Sequence, residues 1–141
     1  MINFYEKMPK KFLTKPDNPN YDLHQINNPF TMCVSAPTGS GKTMPAEFAI
    51  RFYTKLGKRV IYTSPIKALS NQKYYEFTRL FPEISFGILT GDMKVNPDAD
   101  VLIMTAEILQ NKLLSRLHGT EYGEFEIDFE KDLGCMIHDE I

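Results

Sequence analysis

The chain has 141 residues, with 16 Lys and Arg against 18 Asp and Glu for a net charge of −2, 43% hydrophobic residues and 12% aromatic ones. That is room for one domain with a real core and too little for two, and the composition excludes a wholly disordered chain. There is no run of about 18 apolar residues and no apolar signal stretch after the start MINFYEKMPKKF, so the expectation is an intracellular protein without a membrane partner.

Residues 1–29 read as an irregular lead-in, because Pro9, Pro16, Pro19 and Pro29, with Asn27 and Asn28, interrupt any long period. From residue 30 to 141 the pattern is regular. Apolar runs at 31–35, 60–64, 85–89, 101–105 and 134–138 have strand length, and several are apolar on both parities, as strands covered on both faces are. Between them lie helical patterns. Ala46, Ala49, Ile50 and Tyr53 share one face ahead of a stop at Gly57. Pro45 falls early enough in that helix to be tolerated. A second helix is expected from about Lys67 to Leu80, and a third carries Leu109, Leu113 and Leu117 down one side. Alternating strands and helices predict an α/β fold with a parallel sheet.

Two smaller features complete the survey. Cys33 and Cys135 each sit in an apolar run and read as reduced, buried thiols. Residues 121–132 hold six acids against Lys131 alone, a balance of −5 that leaves +3 elsewhere. A slightly basic body is compatible with a polyanion partner, and the acidic stretch reads as a solvated loop or helix face.

The strongest local signal is Ala36-Pro37-Thr38-Gly39-Ser40-Gly41-Lys42-Thr43, between an expected strand and an expected helix. That is the context of a phosphate-binding loop. Gly39 and Gly41 let backbone N–H groups turn inward around phosphate, and the helix N-terminus favours the anion. Lys42 would reach the β- and γ-phosphates of ATP, and the Thr43 hydroxyl would bind Mg²⁺. Ala36 stands where the pattern has its first glycine. At the other end, Met136-Ile137-His138-Asp139-Glu140 is an apolar run closing on two carboxylates. Asp139 would hold Mg²⁺ and Glu140 would polarise the attacking water. His138 reads as a strand-end residue, with no second His or Cys at ligand spacing.

The middle of the chain places hydroxyls and donors where ligands of parallel sheets collect. Thr63, Ser64 and Thr90 lie at strand ends, Pro65 and Gly91 at turns, Lys67, Asn71 and Gln72 in the next helix, and Thr105 and Glu107 at another junction. Such groups suit the backbone of a single nucleic-acid strand.

Four blocks, APTGSGKT, YTSPIKALSNQKYYEF, LTGD with NPDADVLIMTAEIL, and HDEI, resemble the first RecA-like domain of superfamily 2 helicases with a DExH box. The likeness is to the superkiller type that feeds the exosome and to relatives in large DNA viruses. The resemblance implies ATP and Mg²⁺ as cofactors, single-stranded RNA in preference to DNA as partner, and backbone grip by the middle residues. It also implies an adenine contact upstream, for which Tyr21 and Gln25 stand in place, although ten residues between Gln25 and Ala36 leave little room for a helix plus a strand. The family pattern continues past Ile141 into a coupling motif and a second RecA-like domain that supplies arginines to the γ-phosphate. These 141 residues therefore read as an amino-terminal portion, expected to be inactive alone. The lead-in is similar to the approach to the phosphate loop in DNA-packaging-type viral ATPases. This leaves two alternatives, a motor of that kind and an inactive truncated or composite product.

Overall fold

The computed structural model describes residues 44–119, 125–129 and 131–139. The lead-in, the strand expected at 31–35, the phosphate loop at 36–43, Gln25, Cys33 and Glu140 lie outside the described residues. The chain divides between Phe52 and Tyr53 into two units. Of the first, the described part is the opening of helix α1 (Met44–Lys55), where Pro45 falls in the first described turn and Ala49 and Ile50 of the expected apolar face are buried.

The second unit begins with the end of α1. Gly57 adopts φ 72°, the left-handed conformation that costs glycine nothing. The N–H of Gly57 reaches Thr54 O at 3.1 Å and that of Lys58 reaches Tyr53 O at 3.0 Å. This pair of bonds satisfies the last carbonyls of the helix, as the Gly57 stop predicts.

The sequence then runs through β1 (Arg59–Ser64), α2 (Lys67–Leu80), β2 (Phe86–Leu89), β3 (Lys94–Val95), β4 (Val101–Thr105), α3 (Ala106–Leu117) and β5 (Leu133–His138). The sheet order is β3-β2-β4-β1-β5. β1, β2, β4 and β5 are parallel and β3 is antiparallel to β2. The expected α/β architecture is therefore present, with one short antiparallel edge added. β3 has two residues, too few for any periodicity, and is defined by the hairpin that follows Thr90 rather than by its own composition.

Alternate residues of each strand face opposite layers. Tyr62, on one face, meets the Phe77 ring of α2 edge-on at 5.3 Å, and Phe77, Phe81 and Phe86 pack together at about 6 Å. On the other face Ile61, Leu89, Leu102 and Met104 form a core with Leu109 of α3 and Phe125. Of the third helix's leucines only Leu109 is buried. Leu113 is exposed and Leu117 is 81% exposed, so the apolar stripe leaves the core after one turn.

The acidic stretch is anchored as well as solvated. Phe125, Ile127 and Phe129 face the core while Glu126 and Asp128 point outward. Lys112 lies 5.4 Å over the Phe125 ring and Arg116 lies 5.1 Å over Phe129. Arg59 ties this stretch to the sheet, donating to Ala99 O, Pro97 O and Glu126 O at 2.8–3.0 Å. Cys135 is half-buried, and desolvation pushes its thiol up to about 11.

Gly87 in β2 has no room for a side chain. A Cβ there would overlap Asn96 O and lie 2.9 Å from Val95 O. Gly87→Ala is expected to destabilise the protein by about 1–3 kcal/mol, the usual range for overpacking, read as a lower urea midpoint with an unchanged m-value.

Candidate nucleic-acid interface

Chain direction in the sheet sets where a ligand can sit. From β1 the chain crosses through α2 to β2 on one side, and from β4 it crosses through α3 to β5 on the other. The two helices cover opposite faces, as same-handed crossovers travelling in opposite directions require. β1 and β4 are neighbours, with Ser64 opposite Thr105. The connections leaving the carboxyl ends of these two strands pass to opposite faces of the sheet.

On the β1 side of this junction the expected residues are placed as follows. Ser64 is buried, and its hydroxyl donates to Ile66 O at 3.1 Å and meets Ser70 Oγ at 2.5 Å, fastening the turn to α2. Pro65, Ile66 and Lys67 are exposed. Ile66 occupies the N-cap of α2 and has no side chain able to cap it, so the first N–H groups of the helix lack a side-chain acceptor from that position. Asn71 is half-buried, and its Oδ1 finds no hydrogen-bond partner among the described residues. Gln72 is exposed and donates to Glu76 at 2.9 Å. That bond, with a smaller contribution from Lys73, holds Glu76 below the usual carboxylate range.

The β2 turn and the β4 junction supply the rest. Thr90 is 1% exposed, and its hydroxyl donates to Asp92 Oδ1 at 3.1 Å. Gly91 is exposed at the tip of the turn. Lys67 pairs with the other oxygen of Asp92. The Lys67 hydrogen bond foremost, and Thr90 next, hold the Asp92 carboxyl below its ordinary range. With a lowered pKa in the folded protein, the pair is intact above the ordinary aspartate range and opens as pH falls through the Asp92 pKa. Thr105 is the N-cap of α3 but makes no cap hydrogen bond with its side chain, and Glu107 is exposed in the first turn.

At the next strand along, Asp139 follows β5, and its N–H donates to Thr63 O at 2.9 Å. Tyr62 OH donates to Asp139 Oδ2 at 2.6 Å. His138 Nδ1 is hydrogen-bonded to Thr63 Oγ1 at 2.7 Å, and no group of three or more metal-ligating side chains occurs among the described residues. Ala36, Thr38, Gly39, Ser40, Gly41, Lys42, Thr43, Glu140 and Gln25 lie outside the described residues. Sequence reasoning missed Tyr62 and Asp92 as site residues. Tyr62 reads as one apolar position of a strand, and Asp92 closes the LTGD block but attracts notice only beside Lys67.

The family model described as DEAD/DEAH box helicase matches residues 22–141. The chain is 48% identical over 93 residues to the antiviral helicase SKI2 of Saccharomyces cerevisiae, covering 66% of this chain and 7% of that protein. It is 45% identical over 116 residues to mRNA transport homolog 4 of Caenorhabditis elegans, covering 82% of this chain and 10% of that one. With the exosome RNA helicase MTR4 of Mus musculus the identity is 49% over 88 residues, 62% of this chain and 8% of the relative. The chain thus spans a tenth or less of the length of these relatives.

Tyr62→Phe keeps the ring against Phe77 and removes only the donor to Asp139. It is expected to cost about 1.5–3 kcal/mol, the range for a hydrogen bond to a charged group, and less in an Asp139→Ala background. A urea double-mutant cycle reads the coupling.

Proposed function

Because the chain belongs to the DEAD/DEAH box helicase family, we propose that it is the ATP-binding portion of an ATP-dependent RNA helicase, acting together with a second RecA-like domain. The observation that carries this reading is the parallel pairing of β1 with β4, which sets their carboxyl ends side by side. Ser64 is paired with Thr105 at those ends, and Pro65 and Lys67 are exposed just beyond Ser64. The first turns of α2 and α3 open along that edge without a side-chain cap from Ile66 or Thr105. Backbone N–H groups, an ammonium and a hydroxyl are donors for phosphate and ribose oxygens, and none of them reads a base. Grip on the backbone suits a motor that travels along any sequence.

The nucleotide end of the reading rests on the motif at 36–43 and on Asp139. A carboxylate at the end of a parallel strand is a hard oxygen donor of the kind Mg²⁺ takes, and Tyr62 OH fixes one of its oxygens. Thr43 and Asp139 would hold the ion, which when bound neutralises charge on the β- and γ-phosphates. Lys42 would bind those phosphates and Glu140 would orient the attacking water, while the short span from Gln25 to Ala36 tells against an adenine contact by Gln25. In the proposed whole protein, the two domains would close across the strand when nucleotide is bound and part after hydrolysis.

In a protein carrying this segment with a second RecA-like domain, single-stranded RNA is expected to accelerate ATP hydrolysis. Absence of stimulation would favour a phosphate-loop motor of another kind. Lys42→Ala should abolish binding of a fluorescent ATP analogue. Glu140→Gln should retain that binding and lose turnover, and normal hydrolysis by Glu140→Gln would overturn the role assigned to Glu140.

A further inference from the structure

The Lys67 ammonium, the one cation among the expected strand contacts, is already engaged by a carboxylate. Its partner Asp92 lies in the turn after β2, and the Thr90 hydroxyl holds the second oxygen of the same group. Lys67 and Asp92 are 48% and 62% exposed at the side chain, so both face water. A carboxylate and a phosphodiester offer an ammonium the same kind of anionic oxygen. An exposed ion pair is weak and screened by salt, so an incoming phosphate can replace its anion. The buried Ser64–Ser70 contact nearby differs, because opening it would strand polar groups.

We propose that Asp92 is an internal counter-ion that occupies Lys67 in the strand-free protein and is displaced by a backbone phosphate, so that Asp92 sets the strand affinity. This rests on the strand-binding role given to Lys67. Thr90 keeps the displaced carboxylate beside the track, so the pair re-forms when the strand leaves. Asp92 therefore weakens the grip and also returns Lys67 to a defined state after each release.

The test is fluorescence anisotropy with a labelled single-stranded oligouridylate, at low salt, on wild-type protein, Asp92→Asn, Lys67→Ala and the double variant. Asp92→Asn is expected to bind about two- to fivefold more tightly, in proportion to an exposed pair. Lys67→Ala is expected to bind more weakly. In the Lys67→Ala background, Asp92→Asn should change nothing, because no ammonium remains to be released. Equal tightening in both backgrounds would mean general repulsion and overturn the displacement. Unchanged or weaker binding by Asp92→Asn, with Lys67→Ala still weakened, overturns the inference alone. Wild-type binding that is absent, or indifferent to Lys67→Ala, overturns the role of Lys67 and this inference with it. An Asp92→Asn protein with an unaltered urea midpoint excludes misfolding as the source of any change.

Discussion

Strand β1 is the constraint on which the second unit depends. It pairs in parallel with β4 on one edge and β5 on the other, and its residues 60–64 are buried. With helices on both faces, the polar atoms of Tyr62, Thr63 and Ser64 have no water to turn to. Leaving one unsatisfied would cost about 1–3 kcal/mol. Each instead finds a partner on another element: Tyr62 on Asp139, Thr63 on His138, and Ser64 on the first turn of α2. Polar groups at the end of a buried strand thus fix β5 and α2 in register with it. The apolar residues before them supply the burial that holds the layers together, about 1.5–3 kcal/mol for a fully buried large side chain.

That same strand also sets the position of the proposed strand contacts. Covering both faces of a parallel sheet requires the chain to wind in both directions, and the crossovers that leave β1 and β4 do so on opposite faces. Local choices leave donors at the ends of these strands. A Ser, Asp or Asn cap contributes about 1 kcal/mol to a helix, yet α2 has Ile66 at that position and the Thr105 side chain makes no cap bond on α3. Donors left without a side-chain partner at a helix N-terminus can meet an anion.

Elements with a clear period and clear punctuation were legible in the sequence. Lys67–Leu80 is the helix expected there, and the runs at 60–64, 85–89, 101–105 and 134–138 lie within a residue of strands β1, β2, β4 and β5. Features made by distant partners were not legible. Arg59 precedes an apolar run, and nothing local predicts that its guanidinium would hold carbonyls at 97, 99 and 126. Leu113 and Leu117 have helical spacing with Leu109, but spacing does not report where the sheet ends. At the candidate site, the residue types at the strand ends could be read, while their hydrogen-bonding state could not. Ser64 and Thr90 turn out buried, Gln72 lies on Glu76, and Lys67 lies on Asp92. The roles of Lys42, Thr43 and Glu140 rest on motif and family.

Burial sorts these candidates by what each can do. A hydroxyl inside, such as that of Ser64, holds geometry, because exchanging its partner for a ligand would first expose or orphan it. Exposed pairs behave differently. Lys67–Asp92 and Gln72–Glu76 already have water at their sides, so a phosphate oxygen can replace the carboxylate in small steps. Such exchange gives modest net affinity, since one charge-assisted contact is broken for each one made. For the proposed strand-binding role, modest and reversible contact is the useful kind. Tight grip would come from unpaired cations, and Lys67, the one cation among the proposed strand contacts, has been given a partner.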